Sequence, residues 1–199
     1  MGDSDSNALL GGASLLLALA AYCWPSEASA ARGGKVNPEE LSAAKIVVAK
    51  WAGPGSPFPN VPRALVLGIM KAESRFHPKS VDMSERAEAR GGAFGLMGMT
   101  AVTAKDLFQR IEKKVGPSSP EIVKYKSLGT SALYDPDVNT LFGVFYLNQL
   151  GAEFGFTNSN IVAAYHEGAS RVRALEAGPH TRQYVADVTA YRKEFEGMT

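Results

Sequence analysis

The sequence predicts a compact all-α domain. Helix-start signals recur along it: Asn37-Pro38, Thr100 and Asp135-Pro136 each place a capping side chain before an apolar-periodic stretch. Apolar residues fall at helical spacing, as in Val138, Leu141, Phe142, Phe145 and Leu150, and again in Tyr184, Val188, Tyr191 and Phe195. No stretch sustains the two-residue alternation of a half-buried strand. The 199 residues, 45% hydrophobic and 21% charged, suit one soluble domain with its own core.

The elements follow in order. Asn37 is an N-cap, Pro38 takes the first helical position, and Glu40 is a capping-box glutamate, so a first helix runs to about Trp51. The loop GPGSPFPN separates it from a second helix, opened by Pro62 and running to about Ser74. Residues 79–92, polar and glycine-ended, read as a rim loop. Thr100 caps a third helix ending near Gly116. Residues 115–131 read as a second polar connection. Asp135-Pro136 opens a fourth helix. Short helices follow at about 158–166 and 169–177, the latter stopped by Gly178. Thr181 is read as the cap of the last helix.

The domain proper is expected to span 37–199, behind a linker at 31–36. Residues 8–21 are an apolar run, and Ala28-Ser29-Ala30 is a small-x-small site. Together they read as a signal peptide cleaved after Ala30, with export to the periplasm or cell envelope. The first seven residues carry acids where such a leader normally carries Lys or Arg. The alternative for 1–30 is an apolar tail that packs on a partner or enters a membrane.

Charge and cysteine usage exclude several classes. The net charge is +1, which gives no footprint for nucleic acid. Cys23 stands alone, so no intrachain disulfide is expected. His77, His166 and His180 lack metal-ligand spacing, and no cofactor is expected.

One carboxylate is out of place. Val66, Ile69, Met70 and Phe76 surround Glu73 at spacings of seven, four and three, so it sits on the apolar face of the second helix. It also lies in the last turn, where the helix dipole disfavours negative charge. Both effects favour the protonated acid, which can donate to a glycosidic oxygen. The plain alternative is that Glu73 turns to solvent at a frayed end, or pairs with Arg75 or Lys71.

Five blocks then carry a family resemblance. Glu73-Ser74-Arg75-Phe76-His77-Pro78 resembles the E-S-x-F-x-P of the soluble lytic transglycosylases, relatives of goose-type lysozyme. Gly92-Ala93-Phe94-Gly95-Leu96-Met97 with Thr103-Ala104 resembles their G-A-x-G-L-M-Q…T-A. Asp135-Pro136, Asn139, Gly143 and Tyr146-Leu147 resemble D-P-x-x-N…G-x-x-Y-L. Ala164-Tyr165-His166-Glu167-Gly168 resembles A-Y-N-A-G, and Thr181-Arg182-Gln183-Tyr184-Val185 with Val188 and Tyr191 resembles T-R-x-Y-V…V…Y. The blocks keep the family's order over about residues 45–195.

The resemblance implies a lysozyme-like helical fold and cleavage of the MurNAc–GlcNAc bond in peptidoglycan glycan strands, with 1,6-anhydromuramoyl ends. Glu73 matches the catalytic acid, Tyr165 the tyrosine that reaches toward it, and Gly95, Leu96 and Met97 the segment lining the sugar groove. Their plain readings are a core aromatic, a tight turn and two core residues. Gly98 departs from the family's glutamine, and His166 and Glu167 from its asparagine and alanine. Polar residues are inserted before Gly92, and Asp82 stands where the family commonly has a substrate-contacting serine. Asp82 and His166 are therefore further substrate-binding candidates. Asp82 and Glu167 are candidates for a second carboxylate, which a water-using muramidase would need. The departures point to a divergent branch, with an envelope-spanning secretion machine or a phage particle as partner and the virion as the alternative location. A non-catalytic glycan-binding or structural module is the competitor from another class.

Overall fold

The computed structural model describes residues 35–174 and 178–197. The apolar run, its cleavage site and the first part of the linker lie outside them. The all-α expectation holds: helices build the domain, and the strands form one small antiparallel sheet.

Helix α1 (Pro38–Trp51) starts where expected, with the Asn37 side chain accepting from the Glu39 N–H. Glu40, expected to close a capping box, pairs with His77 Nδ1 at 2.8 Å. Helix α2 (Arg63–Ser74) begins after Pro62, which serves as its N-cap. It is buried almost throughout, because helices pack around it.

Residues 79–92 are more than the rim loop expected. Val81–Asp82 form β1, and Glu85–Glu88 form a short helix, α3. β1 pairs with β2 (Ala93–Phe94), and β2 with β3 (Met99–Thr100). Strands of two residues are too short to show alternation, so the sequence pattern could not reveal them.

Helix α4 (Ala101–Val115) is capped as expected, the Thr100 hydroxyl oxygen accepting from the Thr103 N–H. The polar connection expected over 115–131 is a correction: Pro120–Leu128 form α5, and Gly129–Tyr134 form a 3-10 turn. The reason lies in tertiary charge pairing and burial. Lys50 of α1 bridges Glu121 and Asp137, each at 2.7 Å, and Ile122 is fully buried.

Helix α6 (Pro136–Phe154) crosses the centre, with Asp135 capping two backbone N–H groups. It is buried on nearly every side from Val138 to Leu147. Helices α7 (Asn160–Glu167) and α8 (Ala169–Arg173) follow. The last helix, α9 (Pro179–Phe195), is capped at Gly178. Thr181, expected as its cap, lies inside the first turn because Pro179 already occupies the first helical position. Helix α9 lies against α2. A Cβ on Gly68 would stand 3.1 Å from Arg192 N and Val188 O, so the two backbones nearly touch there.

Candidate active site

The site is built where α2 ends. Glu73 is the next-to-last residue of that helix. The chain then turns through two consecutive left-handed residues, Arg75 (φ 53°) and Phe76 (φ 71°). Such non-glycine conformations cost about 1–3 kcal/mol each and persist only where the surroundings enforce them. Here the enforcement is burial of Phe76, which is fully enclosed and packs edge-on against Phe195 at 5.9 Å. Ser74, also buried, has its hydroxyl within hydrogen-bond reach of the carbonyls of Met70 (3.0 Å) and Leu96 (2.8 Å). That hydroxyl fastens the end of α2 to the segment 95–98.

The segment itself is pinned by Asn139. Its Oδ1 accepts from the Met97 N–H at 2.8 Å, and its Nδ2 donates to the carbonyls of Phe94 (2.7 Å) and Leu133 (3.0 Å). Gly95 is required for this: at φ 74°, a Cβ there would stand 2.4 Å from Asn139 Nδ2 and from Leu133 O. Tyr165 is fully buried, and its hydroxyl donates to the Met97 carbonyl at 2.8 Å. Leu96 and Met97 are buried as well.

Tyr184 and Gly98 both lie against the Glu73 carboxyl. The Tyr184 hydroxyl donates to Oε1 at 2.6 Å. Gly98, at φ 58°, lies on the other oxygen, so closely that a Cβ there would be 2.4 Å from Oε2. Burial is the main electrostatic effect, and it pushes the Glu73 acid up to about 8. The Tyr184 hydrogen bond works against that rise, while the negative charge of Asp82 adds to it. The group is therefore an acid that keeps its proton at neutral pH and is near equal sharing just above it.

The remaining candidates divide. Asp82 lies close enough to act on Glu73 by its charge, and its two oxygens accept from the Ser84 N–H (2.9 Å) and hydroxyl (3.3 Å). Glu167 points elsewhere: its carboxylate accepts from the Gly178 N–H and the Thr181 hydroxyl at the start of α9. His166 is fully buried behind Tyr184, its ring stacked on the phenol with centroids 4.4 Å apart. Lys71, a proposed partner of Glu73, is paired with Glu194. Among the described residues, no group of three or more His, Cys, Asp or Glu is placed to hold a metal ion.

Reading the sequence did not assign a site role to Tyr184, Gly98 or Asn139. Tyr184 and Asn139 each fell inside a matched block, which was the available signal. Gly98 departs from the family's glutamine, which by itself carries no sign of contact with Glu73.

The family model described as the transglycosylase SLT domain matches residues 57–185. The membrane-bound lytic murein transglycosylase C of Serratia proteamaculans (strain 568) is 33% identical over 130 residues. That match covers 61% of this chain and 31% of the relative, so the chain spans about a third of the relative's length. No solved structure gives a significant match. With the model covering Glu73, its glycine floor and Tyr184, the chain belongs to the transglycosylase SLT domain family.

Proposed function

We propose that the protein is a peptidoglycan lytic transglycosylase with Glu73 as its single proton-transferring group. The observation that carries this reading is the Glu73 carboxyl, held protonated by burial and oriented by Tyr184 and Gly98. In the first step Glu73 protonates the oxygen joining N-acetylmuramic acid to N-acetylglucosamine. Positive charge develops at the muramic C1, and the substrate's acetamido group stabilises it. The glucosamine leaves as an alcohol. Glu73, now ionised, accepts the proton of the muramic 6-hydroxyl, whose oxygen closes on C1. The products are a 1,6-anhydromuramoyl end and a re-protonated Glu73, so the proton balance closes and no water is consumed. The Tyr184 hydroxyl supports the intermediate state, because it donates to the carboxylate.

This chemistry differs from that of two-carboxylate glycosidases, whose acid and base are held ~5–5.5 Å or ~6.5–9.5 Å apart. Asp82 favours one second reading, a muramidase, because its charge reaches Glu73. Its hydrogen bonds to Ser84 argue for a structural role instead. We place the protein's action in the cell envelope, where this substrate resides. Among the described residues, no helix is long and apolar enough to cross a membrane.

Mass spectrometry of digested peptidoglycan tests the reading. Anhydromuramoyl ends are expected. Reducing muramic ends, combined with loss of activity in Asp82→Ala, would establish the muramidase instead.

A further inference from the structure

We propose that His166, Thr181 and Glu167 form a buried positioning unit that holds the Tyr184 hydroxyl on the catalytic acid. The inference rests on the assignment of Glu73 as that acid.

The bonding roles within the unit follow from valence. Glu167 Oε1 accepts the Gly178 N–H at 3.1 Å, so it is an acceptor toward Thr181 as well. Thr181 has one hydroxyl hydrogen, and that hydrogen goes to Glu167. Thr181 Oγ1 can then only accept from His166 Nδ1, which lies 3.0 Å away. His166 therefore carries a hydrogen on Nδ1. Two adjacent side chains at the end of α7 thus grip one hydroxyl in the first turn of α9. Glu167 is 3% exposed, and Arg171 Nε stands 3.6 Å from its second oxygen. Its negative charge lies at the start of α9, where that helix's dipole favours an anion, and at the end of α7, where the dipole opposes it.

The grip controls Tyr184 in two ways. Thr181 and Tyr184 are three residues apart on α9, hence on one face. Fixing the rotation of α9 at Thr181 fixes where the phenol points. A rotation of roughly 20° would carry a hydroxyl ~8 Å from the helix axis by about 3 Å, enough to break its bond to Glu73. His166 adds a second restraint, because its ring lies on the Tyr184 ring at 4.4 Å with 22° between the planes. A neutral apolar neighbour would supply the stack, but not the link to Thr181.

The experiment is a double-mutant cycle on the full chain, assayed on purified glycan strands for kcat, KM and pH profile, with Glu73→Gln as a control. Thr181→Val removes the hydroxyl at nearly constant volume. It is expected to lower kcat by ~10-fold with KM within about twofold, since misplacing a catalytic partner acts on the chemical step. It should also move the basic limb of the profile upward, as loss of the Tyr184 bond does. Thr181→Ser should restore both. In a Tyr184→Phe background, Thr181→Val should cost nothing further, because the group it positions is gone. His166→Phe, which keeps the stack and removes Nδ1, runs the same cycle should Thr181→Val fail to fold. Losses that multiply across the cycle, or wild-type kcat in Thr181→Val, overturn the inference. An active Glu73→Gln variant would instead overturn the acid assignment beneath it.

Discussion

Gly98 and Glu73 fit so closely that a Cβ on the glycine would displace the acid: it would stand 2.4 Å from Oε2 and 3.0 Å from Cδ. The residue also sits at φ 58°, where a side chain is strained regardless of space. Gly98→Ala should therefore push the carboxyl away from Tyr184 and lower kcat by about 100-fold, the scale of an ångström-sized misplacement. Turnover of purified glycan strands is the measurement, and wild-type kcat in Gly98→Ala would show that the carboxyl does not depend on this contact.

Glu73→Gln should preserve the fold and reduce lytic activity by ~10² or more, because an amide cannot donate the required proton. Near-normal turnover would remove Glu73 from the mechanism. The same substitution should change stability in a pH-dependent way. The pKa is raised from 4.5 to about 8 on folding, so folded protein binds more protons than unfolded chain between those values. The stability carried by that proton is fully present below 4.5 and is lost as pH rises through 8. Thermal unfolding of parent and variant should nearly coincide near pH 4. The variant should be ahead by about 2 kcal/mol or more near pH 9. A difference that does not grow with pH would contradict the raised pKa.

Tyr184→Phe and Asp82→Asn should move the basic limb of the pH–rate profile in opposite directions. The Tyr184 hydrogen bond favours the ionised acid, so its loss raises the Glu73 pKa and shifts the limb upward. The charge of Asp82 favours the protonated acid, so its removal shifts the limb downward. Both directions are read from kcat against pH. Shifts of the same sign would mean that one of these two couplings is misassigned.

Asn139 is fully buried and makes three hydrogen bonds, two of them to the segment 94–97 beneath the acid. Asn139→Ala should cost about 3 kcal/mol, measured by urea unfolding, since it strands a backbone N–H and two carbonyls. Asn139→Asp keeps the shape and the acceptor but loses both donors, so it should be nearly as harmful. An undisturbed Asp variant would show that the two carbonyls find other donors.

Local rules were legible in the sequence; long-range geometry was not. Asn37, Thr100 and Asp135 were readable as caps because a cap acts within three residues. Helix α5 carried the same signal, with Ser119, Pro120 and Glu121 at its start, but what holds it, Lys50 on Glu121 and the burial of Ile122, involves contacts far away in the chain. Thr181 looked like a cap because a threonine near a helix start usually is one, and its true partners, Glu167 and His166, lie on another helix. The oddity of Glu73 was readable from its apolar face. The residues that touch it were not, since Tyr184 and Gly98 reach it only through the packing of α9 and the turn of the 95–98 segment.

The acid and its hydroxyl partner are 111 residues apart, at the end of the second helix and within the last. During synthesis Glu73 leaves the ribosome long before Tyr184 exists. Until α9 docks on α2, the Glu73 carboxyl lacks its Tyr184 hydrogen bond. A chain cut ahead of α9 therefore carries Glu73 without the hydroxyl that orients it.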